Sequence, residues 1–219
     1  MRLIFLGKPG SGKGTQARAI TQAYGIPAVA TGDLIRAAIS GETELGQQFK
    51  GYTSKGLLVP DELVLAMVAE RLENDDCSGG FLLDGFPRTE PQADGLQAML
   101  TKVEAPLDAV LYLKVPDDIL VERAVGRRVC KESGSVYHVK FNPPKVEGVC
   151  DVSGKALVHR DDDKEDVVVR RLKEYDEKTS PLIEYYKKQG KLLEVDGVGS
   201  FEEIEQRIKG VLQSVNGAG

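Results

Sequence analysis

Hydrophobic residues gather along this chain in short runs separated by polar, periodic stretches. Four runs, RLIFLG (2–7), FLLDGFP (81–87), AVLYLKVP (109–116) and KLLEVDG (191–197), are bounded by glycine, proline or acidic residues. A strand with one wet face alternates apolar and polar positions, whereas a parallel strand buried on both faces is apolar throughout. Each run is followed by, or lies near, a helical pattern; the clearest helices predicted are Gly14 to Tyr24, Pro60 to Asn74, Asp117 to Val125, Lys164 to Gln189 and Ser200 to Ser214. Strand and helix in alternation predict an α/β fold built on a doubly wound parallel sheet.

Two stretches break the alternation. Residues 30–59 carry short helical patterns punctuated by Gly32, Gly41, Gly46, Gly51 and Gly56, the pattern of a small helical insert. Residues 126–163 are polar and rich in turn residues, with NPPK and DVSGK, and predict a β-rich flap.

Length and charge narrow the picture. A chain of 219 residues fits one domain with insertions or two small ones. Its net charge of -5, with 29% charged residues, sets up no global field toward nucleic acid or membrane, so any anion site must be local. The first apolar run, LIFL, ends at a glycine and is too short for a signal-peptide core or a membrane span, which points to a cytoplasmic protein. Three cysteines, Cys77, Cys130 and Cys150, are too sparse for a secreted disulfide framework.

The stretch GKPGSGKGT, Gly7 to Thr15, follows the first predicted strand and opens the first predicted helix. The phosphate-cradling loop is written Gly, four residues, Gly, Lys, then Ser or Thr, whose hydroxyl meets magnesium. Here Gly7, Gly12 and Lys13 fit, Gly14 replaces the hydroxyl residue, and Thr15 follows one place late. Glycines allow backbone N–H groups to point at one oxyanion, the helix start adds its positive end, and Lys13 adds a full charge. A glycine-rich turn with an incidental lysine is the plainer alternative, disfavoured by strand, glycines, lysine and helix occurring together. Thr15 could reach a phosphate or the ion. Asp84, closing FLLD, is placed to hold a magnesium ion through water, or else to cap the turn at Gly85.

Phosphoryl transfer calls for positioning and charge compensation, and so for arginine, whose planar fork holds phosphate oxygens in pairs. Arginines at turns or helix ends are Arg36, Arg88, Arg123, Arg127, Arg160 and Arg171, while Arg2, Arg18, Arg71 and Arg207 read as solvated surface. Spacing alone does not choose between Arg170 and Arg171, or between Arg127 and Arg128.

With GKPGSGKGT, TGDLIRAA, LDGFPRTEPQA, GRRV, YHVKFNPPKVEG and HRDDDKEDVVVRRL in this order, the chain resembles the bacterial adenylate kinases of the long-lid type from Met1 to about Val198. The resemblance implies a five-stranded P-loop sheet with a helical AMP-binding insert and a lid. The core would comprise 1–29, 60–125 and 164–219, the AMP-binding domain 30–59 and the lid 126–163. It implies reversible transfer, ATP plus AMP giving two ADP, by a cytoplasmic monomer with Mg2+ supplied with ATP. Gly10, Ser11, Gly12, Lys13, Gly14 and Thr15 would bind ATP phosphates, Arg127 would clamp them, Val136 and Tyr137 would lie along ATP, and Gly199 would meet adenine through its backbone. Thr31, Arg36, Arg88 and Gln92 would hold AMP, with Leu57, Leu58 and Val59 lining its base and Gly85, Phe86, Pro87 and Arg88 forming the loop beside it. Lys13, Arg88, Arg123, Arg160 and Arg171 would surround the moving phosphoryl group, Arg160 and Arg171 also touching AMP. Asp162 and Asp163, at the lid's exit, suit a hinge contact with core arginines or a plain acidic turn. A Gln92 amide both donates and accepts, as an adenine edge requires.

The resemblance has one departure. Its zinc-bearing branch places four ligands where this chain has Cys130, Ser133, Cys150 and Ser153. A structural zinc site takes four thiolate, imidazole or carboxylate ligands, so no structural zinc is expected, and hydrogen bonds from the two serines would replace it. A Cys130–Cys150 disulfide is the alternative under oxidation. The sequence leaves two rival functions: a nucleoside monophosphate kinase for another base, and a P-loop switch that signals through a partner.

Overall fold

The computed structural model describes residues 1–216; the last three of the expected core segment, 217–219, lie outside the described residues. Five strands, β1 (Arg2–Leu6), β2 (Ala28–Ala30), β3 (Phe81–Asp84), β4 (Ala109–Lys114) and β7 (Leu192–Asp196), form one parallel sheet in the order β2-β3-β1-β4-β7. Side chains of a strand alternate between faces, so Leu3 and Phe5 of β1 enter one core and Ile4 and Leu6 the other. This is why the run is apolar throughout.

Helices cover both faces. On one lie α1 (Lys13–Tyr24), α6 (Asp117–Val125) and α9 (Phe201–Asn216), contributing Ile20, Leu120 and Ile208. On the other lie α4 (Asp61–Leu72), α5 (Glu90–Lys102) and α8 (Pro181–Lys188), contributing Val68, Leu96 and Leu182. Residues 30–59 hold α2 (Thr31–Ser40) and α3 (Glu44–Thr53), packed so closely that a Cβ on Gly46 would stand 2.1 Å from the Ala38 carbonyl oxygen. Residues 126–163 hold the antiparallel pair β5 (Arg127–Val129) and β6 (Val136–His138). Among the described residues no helix is long and apolar enough to cross a membrane.

The structure differs from the sequence reading in three places. The helix expected over Lys164 to Gln189 is divided: α7 (Glu165–Glu174) passes into a π-helical turn at Tyr175–Thr179 before α8. Pro181 lacks the N–H needed to continue the ladder, and the wider turn absorbs the break. Helix α5 is not among the predicted helices although its start is marked, since Thr89 accepts from the N–H of Gln92 at 3.3 Å in the Thr-x-x-Gln order of a capping box. Strand β2, three residues long, carries too little pattern to be read alone.

Leu111 of β4 is fully buried between Phe5 of β1 and Leu193 of β7 in register. Leu111→Ala should cost about 3 kcal/mol of stability, seen as a lower urea midpoint at an unchanged slope.

Candidate active site

Strand β1 lies inside the sheet, where the chain turns one way to β3 and the other to β4, and the loop leaving it opens at such a switch point. Gly10 has φ +85°, and a Cβ there would come within 2.5 Å of the Leu120 carbonyl oxygen, so only glycine lets the loop pass α6. Ser11 is buried, Gly12 precedes the first helical residue, Lys13, and Thr15 is exposed. The Lys13 ammonium folds over this loop, donating to the Gly7 carbonyl, to that of Lys8 at 3.0 Å and to Ser11 Oγ at 3.4 Å. A Cβ on Gly14 would lie 3.6 Å from Asp84 Oδ2, which places the end of β3 beside the loop.

A second loop leaves β3 at Gly85. Arg88 donates from Nε to the Gly85 carbonyl at 2.7 Å, and its own carbonyl accepts from Thr179 Oγ1 at 2.8 Å, so the π-helical turn pins this loop. Phe86 and Pro87 are buried, and Thr31 Oγ1 donates to the Gly85 carbonyl at 2.8 Å. Gln92 is buried, with its amide bonded to the Arg88 N–H and to Asp61. Leu57, Leu58 and Val59 share no single environment: Leu57 is exposed, Leu58 half-buried and Val59 part of the core.

Between the loops the cations gather on two adjacent carboxylates. Asp162 accepts from Arg160 Nε at 3.0 Å and Nη2 at 2.8 Å, pairs with Arg171 Nη1 at 3.1 Å, and lies 3.9 Å from Arg36 Nη1. Asp163, fully buried, takes both arms of the Arg127 fork, with Nε at 2.8 Å. Of the core arginines that the sequence suggested as partners, Arg171 reaches both carboxylates, at 3.1 Å and 3.8 Å, while Arg127 and Arg160 belong to the flap itself.

Crowding sets the titration behaviour. Burial, with like charge from Arg88, Arg171 and Arg127, lowers Lys13 to about 8 against the partial compensation of Asp84. Burial raises Asp84, offset by Lys13 and Arg88. Burial lowers Arg88, and lowers Arg171 to about 10. Burial would also raise Asp162, but Arg171 and Arg160 outweigh it and hold the carboxyl well below its ordinary value. This is a site short of negative charge, as a receptor for polyphosphate should be.

A family model described as adenylate kinase matches residues 5–191. The chain belongs to the adenylate kinase family. It is 52% identical to the adenylate kinase of Thermodesulfovibrio yellowstonii over 97% of this chain and 99% of that one. It is also 52% identical to that of Carboxydothermus hydrogenoformans over 97% and 100%, and 51% identical to that of Caldicellulosiruptor saccharolyticus over 98% and 99%.

Against the residues expected of an adenylate kinase, the structure brings Lys13, Arg36, Arg88, Arg127, Arg160 and Arg171 together but sets Arg123 apart, with Nη1 on the Gly197 carbonyl at 3.3 Å. Val136 and Tyr137 point to opposite faces of β6. Val136 is exposed, while the Tyr137 ring is buried in the flap with Cys130 and Cys150, its hydroxyl accepting from the Asp151 N–H at 2.9 Å. Gly199 is exposed in a loop held on both sides. Ser200 and Glu203 cap α9 reciprocally, Arg207 binds the carbonyls of Asp196 and Val198, and Gln16 Nε2 donates to the Phe201 carbonyl at 3.0 Å.

Two arginines read as surface residues thus have partners elsewhere in the chain: Arg207 holds this loop, and Arg18 of α1 donates to the Gly134 carbonyl in the flap. A single arginine on a helix face gives no signal of such a contact. Asp61 was likewise hidden, as an ordinary acid in a first helical turn. The four flap positions do meet: Cys130 Sγ lies 3.1 Å from Ser153 Oγ, and Cys150 Sγ lies 3.3 Å from Ser133 Oγ. Both thiols are free in this structure.

Because Lys13 titrates near 8, it is largely neutral at pH 8.5, and a polyphosphate beside it restores the proton. ATP binding at pH 8.5 should therefore take up a proton, read from heats of binding in buffers of different ionisation enthalpy. Lys13→Met should abolish the uptake.

Proposed function

We infer that this protein transfers the terminal phosphoryl group of ATP to AMP, giving two ADP, and that it is a phosphotransferase in activity as in family. The observation that carries this reading is the cation cluster between two loops, one after β1 and one after β3, which gives a donor phosphate site and an acceptor phosphate site facing one arginine group.

In this reading the backbone N–H groups of Gly10 to Thr15, with Lys13, hold the donor's outer phosphates. Thr31, Arg36 and Arg88 hold the AMP phosphate, Gln92 meets its base, and Leu57 lines the entrance. An oxygen of AMP attacks the terminal phosphorus, the bond to the ADP oxygen breaks, and Lys13, Arg88, Arg127, Arg160 and Arg171 balance charge on the moving group. Arg123, bonded to Gly197, serves the base side of ATP with the Gly199 loop. Among the described residues the Asp84 carboxylate has no hydrogen-bond donor, and beside Gly14 it offers the hard oxygen that suits Mg2+ through water. The ion would neutralise charge on the phosphate oxygens. Residues 30–59 serve as the AMP-binding domain, and 126–163 as a lid that excludes water, the competing acceptor. The protein acts as a cytoplasmic monomer.

A coupled assay over AMP, CMP, UMP and GMP should show rapid ADP formation with AMP and no net phosphate release. Arg88→Ala should lower kcat/KM for AMP about a hundredfold or more while sparing ATP affinity, because Arg88 meets the acceptor side. Equal losses for both nucleotides would misplace the acceptor site.

The flap's two thiols and two hydroxyls do not make a zinc donor set, because neutral serines cannot complete four anionic or imidazole ligands. We read the lid as metal-free. Protein purified without chelator should carry far less than one zinc per chain and keep its melting temperature in chelator.

A further inference from the structure

Gln92 is 1% exposed, and both ends of its amide are already engaged. Oε1 accepts the backbone N–H of Arg88 at 2.8 Å, and Nε2 donates to Asp61 Oδ1 at 2.7 Å. The two partners have fixed polarity: a backbone N–H can only donate, and a carboxylate can only accept. Turning the amide over would set N–H against N–H and oxygen against oxygen. The protein therefore determines which end of the amide is the donor before any ligand arrives.

These two bonds leave one N–H on Nε2 and one lone pair on Oε1. A purine monophosphate anchored by its phosphate presents its N1 and C6 edge in a fixed direction. In AMP this edge is an acceptor at N1 and a donor at the 6-amino group. In the 6-oxo nucleotide IMP, nearly the same shape, it is a donor at N1 and an acceptor at C6. One orientation of the amide matches the first edge, and only the reversed orientation matches the second.

We propose that Asp61 is a specificity-determining positioning residue, which holds the Gln92 amide in the orientation that accepts a 6-aminopurine and rejects a 6-oxopurine. This rests on Gln92 meeting the acceptor base. Asp61 touches neither base nor phosphate in this scheme; it acts through Gln92. The rejection comes from unpaired and opposed polar groups, which discriminate far better than a difference in pocket size.

The test compares kcat/KM for AMP and for IMP, at saturating ATP, in the parent protein and in Asp61→Asn, Asp61→Glu and Gln92→Ala. Asparagine keeps the shape but can donate or accept, so it removes the oxygen-against-oxygen half of the cost of turning the amide over and leaves only the half set by the Arg88 N–H. Asp61→Asn should lower the AMP/IMP ratio about tenfold, largely by improving IMP, with the KM for ATP unchanged. Asp61→Glu, still acceptor-only, should keep the ratio within about twofold. Gln92→Ala should collapse the ratio by weakening AMP. A role for Asp61 confined to the stability of α4 would move the melting temperature and both acceptors together, leaving the ratio fixed. An unchanged ratio in Asp61→Asn beside a collapsed one in Gln92→Ala would overturn the role of Asp61 and spare that of Gln92. An unchanged ratio in Gln92→Ala would overturn the base-reading assignment, and this proposal with it. If Asp61→Asn folds poorly, Asp61→Ser, also able to donate or accept, gives the same reading.

Discussion

Like charges must be held close together in this protein, and most of its site follows from how that is done. Arg127, Arg160 and Arg171 would repel one another in a half-buried cleft; two neighbouring carboxylates, Asp162 and Asp163, bind all three, with Arg36 at the edge. Neither carboxylate is a surface decoration, since Asp163 is fully buried and Asp162 stays ionised against the cost of its burial. Exposed ion pairs contribute little, whereas a buried carboxylate whose partners are removed is expensive, so the cluster tolerates exchange of anions better than loss of them.

The pair also ties together parts of the chain that are far apart in sequence. Arg127 opens the flap strand β5, Arg160 closes the flap, Arg171 belongs to α7, and Arg36 lies on α2 of the helical insert. Both segments that interrupt the sheet therefore report to the same two carboxylates. Lys13 remains outside the pairing and rests on loop carbonyls, so burial lowers it with only the Asp84 charge in partial compensation.

Much of this was legible in the sequence because its signals are local. A continuous apolar run marks a strand buried on both faces, and glycines spaced around a lysine at a strand end mark the phosphate loop. The residues whose partners the sequence did not show act at long range. Asp61 meets Gln92 across 31 positions, Arg18 meets Gly134 across 116, and Arg123 meets Gly197 across 74. In sequence each is a common charged residue in a helix, and only the fold supplies its partner. The alternation along β6 separates Val136 from Tyr137, a geometric fact that a motif match passes over. The capping box at Thr89 is a local and readable signal, yet the helix it opens is not among those predicted.

Two aspartates occupying an arginine cluster have a consequence for selectivity among anions. An anion that is to engage Arg127, Arg160 or Arg171 must displace carboxylates held by close arginine contacts, and the protein supplies these at a high effective concentration. A lone phosphate or sulfate brings only its own oxygens to that exchange. A nucleotide adds a base and sugar bound elsewhere, and so can prevail where the simple ion does not. Tethered acids of this kind raise the threshold that a simple inorganic anion must pass to reach these three arginines.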